Sequence, residues 1–200
     1  MKNVNIIAQR RAERYQQLDE TTKQKLDSFF DKESQNHQLQ FIKSSKVKPR
    51  VGDIFVLSPR KGMYFYGKVM VADIERITPD SFVDGKSVVL IFESHANEIS
   101  MENYQATYDS LLIPPAIVDS DYWEEGFFFT IGNLPLPDME KELDIGFYKL
   151  HFKKNFYCKV SGEVLDHEPK YLGIHGLTTI TGIASEIERE LIIREKEFDL

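Results

Sequence analysis

A chain of 200 residues with 42% hydrophobic and 12% aromatic side chains can bury one substantial core, and suits one domain plus an appendage better than two full domains. Its single cysteine, Cys158, excludes an internal disulfide and leaves too few thiolates for a metal cluster. No apolar run approaches the roughly 18 residues of a membrane-crossing helix, and the net charge of −7 argues against a phosphate-binding body.

The opening MKNVNIIAQRRAERYQQ turns charged after two isoleucines, so it lacks the apolar region of a secretory signal, and a cytoplasmic location is expected. From about Ile6 to Asp31 there is no Gly or Pro, and Gln, Glu, Lys, Arg and Leu dominate. Ile7, Arg11 (by its stem), Tyr15, Leu18, Leu26, Phe29 and Phe30 trace a stripe with a break at Glu20-Thr21-Thr22, which predicts one long or two shorter amphipathic helices. Glu33–Gln40 is polar and reads as a linker. From Val47 the period becomes that of strands. Val51–Leu57 and Met63–Met70 flank a Pro/Gly loop and predict a hairpin. Alternation places Met63, Phe65, Gly67 and Val69 on a core face, and Tyr64, Tyr66, Lys68 and Met70 on a partly wet one. Gly67 leaves room for a close backbone or a bulky neighbour.

Val88–Phe92, Gly126–Ile131, Phe147–Phe152 and Phe156–Val160 are further strand candidates, the last two separated by Lys153-Lys154-Asn155. In the final stretch Ile183, Ile187 and Leu191 recur at helical spacing, with either a capping box at Ser185–Glu188 or a start nearer Thr181. Strands in the middle and helices at the ends predict an α+β fold. Its mainly antiparallel sheet is strongly bent or forms a small barrel-like core, with an N-terminal helical segment and a C-terminal amphipathic helix. Residues 1–45 form an extension and linker, and residues 46–200 the domain.

Chemistry is hard to find. The histidines His37, His95, His151, His167 and His175 show no metal-ligand spacing, and no phosphate loop, nucleophile elbow or dinucleotide fingerprint is present. Cys158 sits in a strand pattern and reads as a small buried hydrophobe. No catalytic residue, metal or cofactor is expected, and the chain is read as a non-enzyme.

Charge is distributed unevenly. Residues 1–50 hold 11 Lys/Arg and 6 Asp/Glu, or +5, and residues 51–200 hold 14 and 26, or −12. From Ser87 to Glu140 there are ten acids and no lysine or arginine: Glu93, Glu98, Glu102, Asp109, Asp119, Asp121, Glu124, Glu125, Asp138 and Glu140. Such a segment is either a solvated face or a surface for a cationic partner. Within it, Asp119-Ser120-Asp121-Tyr122-Trp123-Glu124-Glu125 sets two rings among acids, either as partner anchors or as a polar loop with Trp123 turned inward.

The ordered segments resemble the immunity protein 26 family of bacterial polymorphic-toxin systems. The likeness runs through Val51-Gly52-Asp53-Ile54-Phe55, the Phe65-Tyr66-Gly67-Lys68-Val69 strand, a central strand at Val88–Phe92, and Ile131-Gly132-Asn133-Leu134-Pro135-Leu136-Pro137, covering roughly residues 48–193. One departure is Phe128, where a Trp is expected shortly before the Ile-Gly-Asn step, with the single Trp at position 123. The resemblance implies a cytoplasmic, non-enzymatic protein that binds and neutralises a cognate toxin. The expected partner is a basic toxin, with a nuclease favoured by the acidic body; membranes and nucleic acids are not expected partners. Candidate contacts are Asp119, Asp121, Tyr122, Trp123, Glu124 and Glu125, with Glu93, Glu98, Glu102 and Asp109 as outer charges. The competing reading is a small β-barrel-type module binding nucleic acid or peptide through exposed Tyr64 and Tyr66.

Overall fold

The computed structural model of the chain describes residues 5–31, 38–75, 82–150 and 155–198. His37, His151, the 33–37 part of the polar linker, Lys153-Lys154 and the end of the Phe147–Phe152 run lie outside the described residues, as does the side chain of Phe30.

The N-terminal stripe folds as two helices, α1 (Ile6–Gln16) and α2 (Glu20–Asp31). Asn5 caps α1 by accepting from the Ala8 amide at 3.1 Å. Asp19 accepts from the Thr22 amide at 2.9 Å, which restarts the helix and moves the break ahead of Glu20.

The expected hairpin is present as β1 (Asp53–Arg60) and β2 (Met63–Val71), turning at Gly62 with φ +78°. Strand β3 (Ser87–Ala96) extends the Val88–Phe92 run at both ends. Strand β4 (Leu111–Val118) is absent from the sequence reading, because Pro114-Pro115 looks like a breaker. It lies at one edge of the five-stranded sheet β4-β3-β2-β1-β5, where a missing N–H is tolerated. A register shift between Val89↔Ala116 and Ile91↔Ile113 absorbs the two prolines. After a helical turn, α3 (Asp121–Glu124), strand β5 (Phe129–Asn133) forms the other edge.

A second helical turn, α4 (Asp138–Lys141), leads into a smaller sheet, ordered β8-β7-β6-β9. It comprises β6 (Ile145–Lys149), β7 (Phe156–Cys158), β8 (Val164–Leu165) and β9 (Tyr171–Ile174), with β9 parallel to β6. The last two strands are too short to show alternation. Helix α5 (Ile180–Ile193) starts at Thr179, whose hydroxyl accepts from the Gly182 amide at 3.1 Å, so Ser185 lies inside the helix and is not its cap. The architecture is α+β and mainly antiparallel, and the large sheet stays open instead of closing into a barrel.

The large sheet is covered on both faces. Phe55, Leu57, Phe65, Val69, Val89 and Ile91 pack against Trp123 and Phe128 and against Ile183, Ile187 and Leu191 of α5. On the opposite face, Ile54, Val56 and Tyr66 lie under Ile42, Met101 and Tyr104, while Met70, Val88, Leu90 and Phe92 meet Phe147 and Cys158 of the small sheet. The partly wet face expected for the hairpin is therefore corrected. Tyr66 is 0% exposed and Lys68 2%, with only Tyr64 half-buried, so these tyrosines cannot form a stacking platform for nucleic acid or peptide. Alternation correctly separates the faces but cannot foresee a second layer on the outer one. At Gly67 the bulky neighbour is Phe55: a Cβ there would sit 2.2 Å from the Phe55 ring, which lies across the glycine from the facing strand.

Candidate functional site

The motifs that carry the family likeness meet in space. Gly52 has φ +84°, and a Cβ on it would lie 2.6 Å from the Leu134 carbonyl oxygen. Its own carbonyl accepts from the Leu134 amide at 2.9 Å. Asn133 Nδ2 donates to the Val51 carbonyl at 3.1 Å and to Asp53 Oδ1 at 2.7 Å, while Asp53 Oδ2 accepts from the Arg50 amide at 2.9 Å. Asp53 is thus buried with both oxygens bonded. The Val-Gly-Asp and Ile-Gly-Asn-Leu steps tie β1 to β5, so Gly52, Asp53 and Asn133 hold the scaffold.

The lysine of the β2 motif is also internal. Lys68 Nζ pairs with Glu140 Oε2 of α4, and both residues are buried, at 2% and 8% exposure. Burial first, and then the Glu140 carboxylate, raise the phenols of Tyr104 and Tyr108 above the usual tyrosine range. Sequence reasoning counted Glu140 among the surface acids. Its position in a single helical turn, three residues after the Leu-Pro-Leu-Pro stretch, carries no periodic signal of burial.

The ten acids do not form one face. Besides Glu140, four engage cations: Glu93 bonds Arg194, Asp109 bonds Lys170, Asp119 bonds Lys86 and Asp138 bonds Lys141. At Asp119 burial alone would raise the carboxyl, but the Lys86 ammonium and the Asp121 and Ser120 amides outweigh it and hold it below its usual 3.8. The remaining five fall into two groups that have no ion pair among the described residues: Glu98 with Glu102, and Asp121 with Glu124 and Glu125. Met101 lies over Gly132 on the Ile54–Val56–Tyr66 face, which places the first group there. The second group is carried by α3, on the opposite face.

The two rings of the acidic motif are core. Trp123 is 1% exposed; it donates from Nε1 to Thr130 Oγ1 at 3.0 Å and meets Phe55 and Phe128 edge-on, at 5.3 and 5.0 Å between ring centres. Phe128 stacks on Phe55 at 4.6 Å, so the displaced Trp and its Phe replacement fill one aromatic cluster together. Tyr122 is 7% exposed and donates to the Thr178 carbonyl at 2.6 Å; burial and then Asp119, Glu125 and Asp121 push its phenol up to about 12. Neither ring can anchor a partner without leaving the core, and both instead hold α3 in place. The aromatic that does face solvent here is Phe41, 67% exposed, whose ring lies 2.5 Å from where a Cβ on Gly126 would be. Residues 40–45 run beside α3: the Ile42 amide donates to Gly126, the Ser45 amide to Trp123, and the Ser44 hydroxyl to the Glu124 carbonyl at 2.6 Å. One corner therefore combines an exposed phenylalanine with exposed Asp121, Glu124 and Glu125. The sequence signal for Phe41 is a lone aromatic following a polar run.

The described histidines, His95, His167 and His175, are held locally. Both ring nitrogens of His167 face carboxylates, Asp166 and Asp144, at 3.1 Å each. His175 bonds the Val160 carbonyl at 3.1 Å, and His95 lies beside Phe65 and Phe198. Burial raises the Cys158 thiol to about 11, as suits an inert core cysteine.

The family model described as Immunity protein 26 matches residues 50–158. The chain belongs to the immunity protein 26 family. Membership implies an immunity protein directed against a toxin, an inhibitor by function. The matched span contains the large sheet, α3 and the start of the small sheet, and leaves out α1, α2 and α5. No curated protein and no solved structure matches the chain. No helix among the described residues is long and apolar enough to cross a membrane.

Proposed function

We propose that this immunity protein neutralises its toxin by docking the α3 corner onto a basic surface of the toxin, in the cytoplasm of the cell that makes both. Family membership carries the toxin-binding role. The corner is favoured by its composition: exposed Asp121, Glu124 and Glu125 beside exposed Phe41 supply charge around an apolar anchor, the usual arrangement of an interface hot spot. Trp123 and Tyr122 make the corner rigid, so little ordering is needed on binding. Glu98 and Glu102 lie on the other face and, with the partnered Glu93, Asp109 and Asp119, act mainly through the long-range field that speeds association. A nuclease is the toxin class that fits best, because a cleft built for phosphate is basic and an acidic inhibitor competes for it.

The test is capture of the partner from the native cell on immobilised full-length chain, with mass spectrometry to name it, followed by titration against variants. Replacing Asp121, Glu124 and Glu125 together by lysine is expected to weaken binding by at least about tenfold at low salt. Phe41→Ala is expected to cost about 1–2 kcal/mol of affinity. Unchanged affinity in both variants would remove this corner as the interface.

A further inference from the structure

Helix α1 sits on the body with Ile6, Ile7, Arg11 and Tyr15 partly buried and no side chain fully so. Its attachment is mainly charged: Arg11 bonds Glu186 at 2.6 Å, Arg14 grips Glu190 with two bonds of 2.7 and 2.9 Å, and Arg10 pairs with Glu168, while the Ile6 amide reaches the Tyr148 hydroxyl at 3.5 Å and the Tyr15 hydroxyl bonds Asp27 of α2 at 2.8 Å. Beneath it runs a valley between β4, β9 and α5. The valley floor is apolar, built from Ile113, Pro114, Pro115 and Leu172. It is only partly filled: spaces of about 210 and 210 Å³ remain between this floor and Ile7, Arg11 and Arg14 of the helix, and one of about 410 Å³ continues past Arg14 toward Tyr108, Lys170 and Arg194. One contact is unfavourable. Arg189 of α5 is half-buried, and desolvation together with the charges of Arg11 and Arg14 lowers its guanidinium pKa.

These features describe a helix resting in a groove larger than itself and held by its arginines on Glu168, Glu186 and Glu190, the last shared with Arg194. We propose that the β4–β9–α5 valley is a docking groove for a basic amphipathic helix of the toxin, and that α1 is a tethered occupant which that helix displaces. The proposal rests on the toxin-binding reading above and adds a second contact to it. Exposed ion pairs hold by about 0–1 kcal/mol each, so the attachment is reversible. The tether keeps α1 near its groove at an effective concentration of order millimolar, and an incoming helix binds more weakly by the factor that the closed state imposes. Opening need not disturb the core. The chain bends at Gln17–Asp19, and α2 keeps its own anchor in Leu26, 1% exposed, and its Lys25–Glu195 pair. Helices α1 and α5 both lie outside the span matched by the family, while β4 lies within it.

The test needs no toxin. The probe is a fluorescent synthetic peptide of residues 5–17, titrated against the full-length chain and its Arg11→Glu/Arg14→Glu variant, with hydrogen exchange read on both. In the variant, α1 amides are expected to lose protection while α2, α5 and the sheets keep theirs. The peptide is expected to bind the variant at least about tenfold more tightly than the wild type, whose own helix fills the groove. Adding Glu186→Arg and Glu190→Arg should restore α1 protection and abolish peptide binding. In the wild type alone, raising NaCl from about 20 to about 500 mM should speed α1 exchange at least about tenfold without affecting α5. Equal peptide binding to wild type and variant, or α1 exchange indifferent to salt, would overturn the groove. Either outcome leaves the toxin-binding reading untouched, because the assay contains only this chain and its own peptide.

Discussion

The Lys68–Glu140 pair inside the large sheet and the Arg14–Glu190 pair under α1 join the same kinds of charge, yet hold their surroundings in different ways. Lys68 and Glu140 are sealed between the two sheets, where each charge depends on the other because water cannot replace it. Arg14 is half exposed, and water and salt can take over its role at small cost. The difference teaches where each region can change. The sheet must keep both partners or neither, while the N-terminal helix can leave and return.

The sharpest way to break this comparison is Glu140→Ala. It strands the Lys68 ammonium, and urea denaturation is expected to show a loss of about 3–5 kcal/mol. Replacing Lys68 by Met and Glu140 by Leu together should recover most of that loss; if it does not, the pair has a role beyond mutual neutralisation. Gly67→Ala drives a methyl into the Phe55 ring and is expected to cost about 1–3 kcal/mol, again read by urea denaturation. Arg14→Ala on the exposed side should cost no more than about 1 kcal/mol of global stability while speeding exchange of α1 amides. A global loss as large as that of Glu140→Ala would erase the contrast.

Acid separates the regions at the smallest scale. Burial pushes the His175 imidazole below its usual 6.5, so the unfolded chain binds a proton that the folded chain refuses. Its contribution is fully present above 6.5 and is lost as pH falls from there through the lowered value. Thermal unfolding scanned between about pH 7 and about pH 5.5 should show this slope, and His175→Gln should flatten it. Over the same window the Arg10–Glu168 pair of α1 should stay formed, because bonds from Arg10 and then Tyr157 hold the Glu168 carboxyl below its usual 4.5.

The hairpin shows how much of the fold was legible. Its two strands, its turn and the separation of Phe65 from Tyr66 follow from alternation, which is a property of the local chain. Strand β4 was not legible, because Pro114-Pro115 is acceptable only at an edge, and edges exist only once strands are ordered. The candidate site divides the same way. Asp121, Glu124 and Glu125 stood out as acids in a lysine-free stretch. That Trp123 and Tyr122 point inward, and that Phe41 takes the exposed place beside them, depends on which ring reaches the Phe55–Phe128 cluster.

By itself the sequence determined the α+β class, the helical ends, the unequal distribution of charge and the family, because composition, periodicity and ordered short motifs are written along one dimension. Only the tertiary structure decided that the motif residues knot β1 to β5, that Lys68 and Glu140 meet 72 residues apart, and that the acids divide between opposite faces. Those outcomes depend on the second layer that covers the sheet. Burial and pairing are relations between distant segments, and no local pattern records them.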